Sequence, residues 1–184
     1  EGNTYTVTKI GSYTFANCSE MTSVIIPNSV TTIGNKAFYG CSAIERLTIP
    51  SSVTTFDFYL YSCSSLKTLQ AHVSLLRASF EDSMYKMYDN FRSLYSFTDL
   101  YVDSPSIESW CTEGFLHNGV YYQDMPNIHM MVNGTEMTEV FIPDGVTEIV
   151  DEAFHSLSEI TRVVIPSSVT SIGHLAFRCC SSLR

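Results

Sequence analysis

The sequence predicts an α/β fold in which short coils stack into a solenoid rich in short parallel β-strands. One phrase of 23 residues occupies residues 7–29, 30–52 and 146–168, and a partial copy fills residues 169–184. The chain also carries six occurrences of the pattern apolar-x-x-apolar-x-apolar, four of them followed directly by Pro. A single coil cannot bury its own apolar side, whereas stacked coils bury it against their neighbours.

The recurring apolar positions predict the core and the strands. Position 4 of the phrase is Ile10, Ile33, Phe56, Ile149 and Ile172, and position 9 is Phe15, Phe38, Tyr61, Phe154 and Phe177. The later pattern occurs at Met21/Val24/Ile26, Ile44/Leu47/Ile49, Leu66/Leu69/Ala71, Phe97/Leu100/Val102, Met137/Val140/Ile142 and Ile160/Val163/Ile165. Its last two members are two residues apart, so both point to one side of a short strand, which a following Pro ends. Gly11, Gly34 and Gly173 predict a turn after the first short segment.

Composition and charge exclude several classes of protein. Hydrophobic residues make up 45% of the chain, which is enough for a sizeable core. The formal charge of −9 argues against nucleic acid as a partner, because an acidic chain repels phosphate. Apolar runs are only a few residues long, so no membrane span is predicted. The opening EGNTYT and an end inside a repeat, CCSSLR, suggest a trimmed fragment that lacks its targeting and anchor segments.

The middle of the chain departs from the repeat. Apolar residues at helical spacing, Met84, Met87, Tyr88, Phe91, Leu94 and Tyr95, predict an amphipathic helix over 81–95, with Glu81 and Asp82 in its first turn. We expect this helix to pack on the solenoid, since it lacks the basic side of a membrane-surface helix. Asn133-Gly134 predicts a tight hairpin turn.

We therefore expect a single domain over residues 1–184. N-terminal repeats fill residues 1–75, and a degenerate repeat with a helical or irregular excursion fills residues 76–127. A restart hairpin and truncated C-terminal repeats fill residues 128–184.

The phrase VTTIGNKAFYGCSAIERLTIPSS resembles the BspA-type leucine-rich repeat of bacterial surface proteins, and the resemblance covers residues 7–75 and 135–184. Residues 105–145, with SIESWC and VNGTEMTEVFIPDGVTEI, resemble an excursion module found within such proteins. The resemblance implies a right-handed leucine-rich-repeat solenoid in a secreted or surface-anchored bacterial protein. It also implies adhesion to host or extracellular matrix proteins as the function.

The cysteines are expected to serve packing. Cys18, Cys41, Cys63 and Cys180 share nearly the same repeat position, which Leu157 fills in another copy. A position that accepts Leu is apolar, and free Cys behaves as a small buried hydrophobe. Cys111 and Cys179 lie outside this pattern, and the sequence leaves open whether either forms a disulfide.

The sequence predicts no enzyme, cofactor or metal site. His155 and His174 fall at repeat positions that vary freely, so both are expected to face solvent. His72, His117 and His129 lie in the irregular region without a spaced partner. An acidic stretch, formed by Glu113, Asp124, Glu136, Glu139, Asp144, Glu148, Asp151 and Glu152, lacks a calcium-loop pattern and is predicted to be solvated.

The outward side of the strands is the predicted binding surface. Residues between the buried pair of each strand form one outward row of Ile25, Thr48, Gln70, Tyr101, Phe141 and Val164. A second row consists of Ser23, Arg46, Thr68, Asp99, Glu139 and Arg162. Aromatic residues such as Tyr101 and Phe141 commonly anchor interfaces, although simple β-propensity also places them on exposed strands.

A host protein is therefore the expected partner, with two alternatives from other classes. The chain could be a structural spacer in a larger surface protein. It could also be a carbohydrate-binding module that stacks sugars on Tyr101, Phe141 or Trp110, which would require these rings to be exposed.

Overall fold

The computed structural model describes residues 5–57, 59–76, 94–113 and 127–184. The chain divides into two compact units, residues 1–98 and 99–184, and we describe each by itself. The strands are β1 (Lys9–Ile10), β2 (Thr32–Ile33), β3 (Arg46–Thr48), β4 (Thr55–Phe56), β5 (Thr68–His72), β6 (Asp99–Ser104), β7 (Asn127–Val132), β8 (Thr135–Glu136), β9 (Glu139–Phe141), β10 (Glu148–Ile149), β11 (Arg162–Val164) and β12 (Ser171–Ile172). Helix α1 spans Ile107–Glu113, and residues 73–76 are also helical.

The first unit contains two sets of parallel strands, one at each end of the repeated phrase. Strands β1, β2 and β4 pair in that order, with Ile10, Ile33 and Phe56 in register. Strand β3 pairs with β5, so that Leu47 lies beside Leu69. The predicted parallel strands are thus confirmed here, and consecutive copies of the phrase are consecutive coils.

The second unit uses the same arrangement around its excursion. Strand β9 pairs with β11, and β10 pairs with β12, both in parallel and one repeat apart. Strand β6 pairs in parallel with β7 over six residues, and β7 turns back into β8. The turn is Asn133-Gly134, and both residues have positive φ, as the tight hairpin turn requires. The predicted hairpin is confirmed.

The recurring Val-Thr pair has a specific role in the stacking of coils. The N–H of Thr31 donates to Thr8 O at 2.9 Å, and the N–H of Thr54 donates to Thr31 O at 2.9 Å. The Oγ1 of each threonine donates to the same carbonyl at 3.3 Å. Each carbonyl thus accepts from a backbone N–H and from a hydroxyl of the next coil, and Thr supplies the second donor at no cost in β-propensity.

Aromatic side chains stack along the core. Phe15 lies on Phe38 with ring centroids 5.5 Å apart, and Phe154 lies on Phe177 at 5.2 Å. Trp110 of α1 lies on the other side of Phe154 at 6.3 Å. The helix of the excursion therefore replaces the aromatic turn of a regular coil, with Trp110 in the place of the repeated Phe.

Gly34 and Gly173 of the phrase serve close approach rather than unusual φ. A Cβ on Gly34 would lie 2.5 Å from Ser12 N, and one on Gly173 would lie 2.4 Å from Asp151 N. Positive φ instead recurs at other repeat positions, in non-glycine residues such as Lys36 and Asn17. The predicted turn is present, but the reason for its glycine is contact with the preceding coil.

Three expectations need correction or lie outside the described residues. Residues 21–26 are not in a strand, although Ile26 is buried as predicted. Ile165 and Ile172 are exposed, because in this chain their coil is stacked on one side only. The helix predicted over 81–95 lies largely in residues 77–93, outside the described part of the chain. The single domain over 1–184 stays a prediction.

Candidate functional site

The strand face is the outward row predicted above: Ile25, Thr48, Gln70, Tyr101, Phe141 and Val164. In the first unit, Thr48 of β3 lies in register with Gln70 of β5. In the second unit, Phe141 of β9 lies in register with Val164 of β11. Ile25 is 94% exposed, Phe141 is 51% exposed and Val164 is 37% exposed, whereas Gln70 and Tyr101 are half-buried.

The neighbouring outward row is polar, with one exception to the prediction. Arg46, Glu139 and Arg162 are exposed, but Thr68 is buried with 8% of its surface exposed. Arg162 lies in register with Glu139. Its guanidinium also lies over the Phe141 ring, 5.5 Å from the centroid, in the arrangement of a cation–π contact.

Tyr101 belongs to a polar cluster on β6, β7 and β8. The imidazole of His129 stacks on the Tyr101 ring, with centroids 4.3 Å apart. Its Nδ1 lies 2.6 Å from Glu136 Oε1, and its Nε2 lies 3.1 Å from Asp99 Oδ1. Asn127 Nδ2 donates to the same Asp99 oxygen at 3.1 Å. Both ring nitrogens therefore face a carboxylate.

This surrounding favours the protonated form of His129. Burial by itself lowers the pKa of His129, but the hydrogen bonds to Asp99 and Glu136 and their charges outweigh it, so the pKa is raised. The expectation that His129 has no partner was wrong. The alternation of Ile128 and Met130 around it, typical of a strand, was the signal that could have placed it.

The other histidines differ from one another. His174 is exposed as predicted, but His155 is buried, so the prediction for it was wrong. Ser156 Oγ lies 2.7 Å from His155 Nδ1, and burial lowers the pKa of His155. The Nδ1 of His72 lies 2.8 Å from Ser74 Oγ. His117 lies outside the described residues.

The repeated cysteines make a directional contact as well as packing. Cys41 Sγ donates to Phe15 O and Cys63 Sγ to Phe38 O, both at 3.1 Å, and Cys180 Sγ donates to Phe154 O at 3.0 Å. Each thiol therefore bonds to the preceding coil. Leu157 fills the cysteine position in the coil that follows α1. The coil before it has a helix where the other coils have the Phe turn. Cys18 is exposed, contrary to the packing prediction.

All six cysteines are free thiols in this structure, including Cys111 and Cys179. Burial raises the pKa of Cys63 and of Cys111 to about 11. These thiols are therefore poor nucleophiles near neutral pH. Across the described residues, no group of three or more His, Cys, Asp and Glu side chains is placed to hold a metal ion.

The acidic stretch is mostly exposed. Glu136, Glu139, Asp144, Glu148 and Asp151 are exposed and Glu113 is half-buried, but Glu152 is buried. Asp124 lies outside the described residues. A polar cleft of about 320 Å³ opens beside α1, lined by Glu108, Thr112, Gly145, Val146, Thr147, Glu148 and Val150. The described part of its lining contains no Ser, Cys or His.

Trp110 is not available to a ligand. Its side chain is fully buried, and its Nε1–H donates to Met131 O at 3.2 Å. The prediction that it could stack a sugar was wrong, because the ring instead continues the aromatic core. Tyr101 and Phe141 are the candidates that retain exposed surface.

A second aromatic cluster was missed in the sequence. The ammonium of Lys36 lies 5.8, 6.0 and 5.4 Å from the ring centroids of Tyr13, Tyr39 and Tyr59. Tyr13, Lys36 and Tyr59 hold position 7 of three consecutive coils, so the spacing of 23 residues was the signal. The cluster lies in the turns of these coils and is separate from the strand face.

No helix among the described residues is long and apolar enough to cross a membrane. Residues 3–103 and 129–184 match, in six copies, the family described as BspA type leucine rich repeat region. A search of curated proteins gave no match.

Several solved structures are similar. A leucine-rich repeat protein from Eubacterium ventriosum shares 23% identity, with a TM-score of 0.42, over 97% of this chain and 44% of that one. The T. pallidum leucine rich repeat protein shares 20% identity, with a TM-score of 0.36, over 97% of this chain and 72% of that one. A leucine rich cell surface protein from Faecalibacterium prausnitzii shares 19% identity, with a TM-score of 0.34, over 97% of this chain and 56% of that one. The chain thus spans less than half of the first of these proteins.

Proposed function

Because the chain belongs to the BspA-type leucine-rich repeat family, we propose that it is a non-enzymatic protein-interaction module that uses its strand face. The whole protein is located at the bacterial cell surface or is secreted, and it adheres to host extracellular matrix or cell-surface proteins. This location and this class of partner are what the family resemblance implies.

The observation that carries the proposal is the exposure of apolar side chains on a regular scaffold. Ile25 exposes most of its surface and Phe141 exposes about half. Val164 lies in register beside Phe141. The backbones of Phe141 and Val164 are fixed by the pairing of β9 with β11, so little conformational entropy would be lost when a partner covers these two side chains. Large apolar and aromatic groups held in this way are typical anchors of protein interfaces.

The test is direct binding of the chain to a panel of immobilised matrix proteins and glycans. We expect saturable binding to a protein, and we expect Phe141→Ser/Val164→Ser, which changes two exposed residues in register, to weaken it at least about tenfold, since hot-spot truncations cost about 2 kcal/mol. Tyr95→Ser is the matched control, because Tyr95 is a highly exposed aromatic residue that lies outside the strand face. Circular dichroism checks that each variant is folded.

Other outcomes would contradict the proposal. Binding confined to glycans would support the carbohydrate-binding alternative, with Tyr101 and Phe141 as the remaining platform. Absence of binding to every member of the panel would favour a structural spacer. Equal losses in the strand-face variant and in Tyr95→Ser would remove the site from the strand face.

A further inference from the structure

We propose that the strand face of residues 99–184 binds a protein segment rich in Lys and Arg. This inference rests on the proposed function and adds the chemistry of the partner. It concerns the outward side chains of two sheets in this unit, Tyr101 on β6 and Phe141 and Val164 on β9 and β11.

The charge of the chain is divided unequally between its two units. Residues 1–98 contain seven Lys and Arg against seven Asp and Glu, whereas residues 99–184 contain three against twelve. The entire net charge of −9 therefore belongs to the second unit. A surface of one sign attracts a partner of the opposite sign and increases the rate of association.

The alternation of the strands places carboxylates beside the rings of this face. Asp99, Tyr101 and Asp103 alternate with buried residues along β6, and Glu139 and Phe141 do so along β9. Residues two apart on a strand point to the same side. Each ring is therefore next to a carboxylate, which suits a side chain with an apolar stem and a cationic head.

The chain itself shows how a cation binds at such positions. The Arg162 guanidinium lies over Phe141 and in register with Glu139. His129 stacks on Tyr101 and bonds to Asp99 and Glu136.

Carboxylates still outnumber cations among the outward groups of these strands. There are four carboxylates, those of Asp99, Asp103, Glu136 and Glu139. Only two groups can carry positive charge, and these are Arg162 and His129. Further Lys or Arg side chains from a partner would balance the excess charge, and the exposed part of Phe141 and Val164 would supply apolar contact.

The experiment measures binding of a labelled Arg-Ser repeat peptide to the chain by fluorescence anisotropy, with a Glu-Ser repeat peptide as the negative probe. Asp103→Asn/Glu139→Gln removes two charges from the strand face. Asp144→Asn/Glu159→Gln removes two charges from exposed positions outside it, so both variants have the same net charge. We expect the first variant to weaken binding about tenfold and the second less than about twofold.

Equal weakening by the two variants would overturn the proposal, because bulk charge alone would then explain binding. Failure of the Arg-Ser peptide to bind at low salt would overturn it too. If a protein of the panel binds through Phe141 but is insensitive to Asp103→Asn/Glu139→Gln, the partner is not basic and the proposed function stands. If nothing in the panel binds either, both proposals fail.

Discussion

His129 stacks on Tyr101 with ring centroids 4.3 Å apart, and this contact joins β7 to β6 on the side where ligand binding is proposed. Carboxylates of Asp99 and Glu136 face the two nitrogens of the same imidazole. The arrangement needs a proton on both nitrogens to satisfy both carboxylates. It therefore makes the stability of this part of the fold dependent on pH.

We expect His129→Gln to destabilise the protein by about 0.5–1 kcal/mol at pH 6 and by less at pH 9, since Glu136 is partly exposed and solvent weakens the pair. The pKa of His129 is raised in the folded state. Its contribution is thus complete below the unfolded value of about 6.5 and is lost as the pH rises through the folded value. Urea unfolding of both proteins across this pH range measures the difference.

The control for this prediction is His174→Gln, which removes an exposed histidine outside the cluster. A loss of stability in His129→Gln that grew with pH would contradict the account. A loss that stayed constant with pH would show that packing against Tyr101, rather than the charge, is what matters.

Gly34→Ala is expected to destabilise the protein by about 1–3 kcal/mol, because the new Cβ would lie 2.5 Å from Ser12 N in the preceding coil. Gly11→Ala is the matched variant in the same repeat position, where the nearest atom is Thr14 Oγ1 at 3.3 Å. Thermal unfolding of the two variants tests the explanation. Equal melting temperatures would show that the close approach of the two coils is not the reason why position 34 requires glycine.

Trp110→Ala is expected to cost about 3–5 kcal/mol, because it removes a fully buried ring that stacks on Phe154. Trp110→Phe keeps an aromatic ring in the stack but loses the donor to Met131 O, and we expect a smaller loss. Denaturant unfolding measures both. Near-native stability of Trp110→Ala would mean that α1 is not part of the core of the second unit.

The thiols should react in an order set by burial. Cys18 and Cys179 are exposed, whereas Cys63 and Cys111 are buried with pKa values raised to about 11. Only the thiolate is nucleophilic, so alkylation at pH 8 should modify the first pair rapidly and the second pair only on unfolding. Mass spectrometry of peptides from briefly alkylated native protein gives the order. Early modification of Cys63 would contradict its burial.

The repeated part of the fold could be predicted because its physics is periodic. Ile33, Phe38 and Leu47 are buried where the phrase places them, and the strands around them pair one repeat apart. The Asn133-Gly134 hairpin was equally predictable, since its turn needs two residues that tolerate positive φ.

The parts that could not be predicted depend on contacts between residues that share no period. His155 is buried, although its repeat position varies freely in the sequence. His129 gains its partners from β6 and β8, which only the folded excursion brings together. Trp110 substitutes for a repeated Phe from within a helix, so no alignment of the phrase indicates it.

The central claim, that a protein ligand covers the strand face, is tested most directly by hydroxyl-radical footprinting of the chain with and without a bound panel protein. The account predicts reduced oxidation of Ile25, Phe141 or Val164, with Tyr95 and Tyr13 oxidised as in the free chain. Protection of Tyr95 or Tyr13 with unchanged oxidation of all three strand-face residues would place the ligand elsewhere and contradict the account.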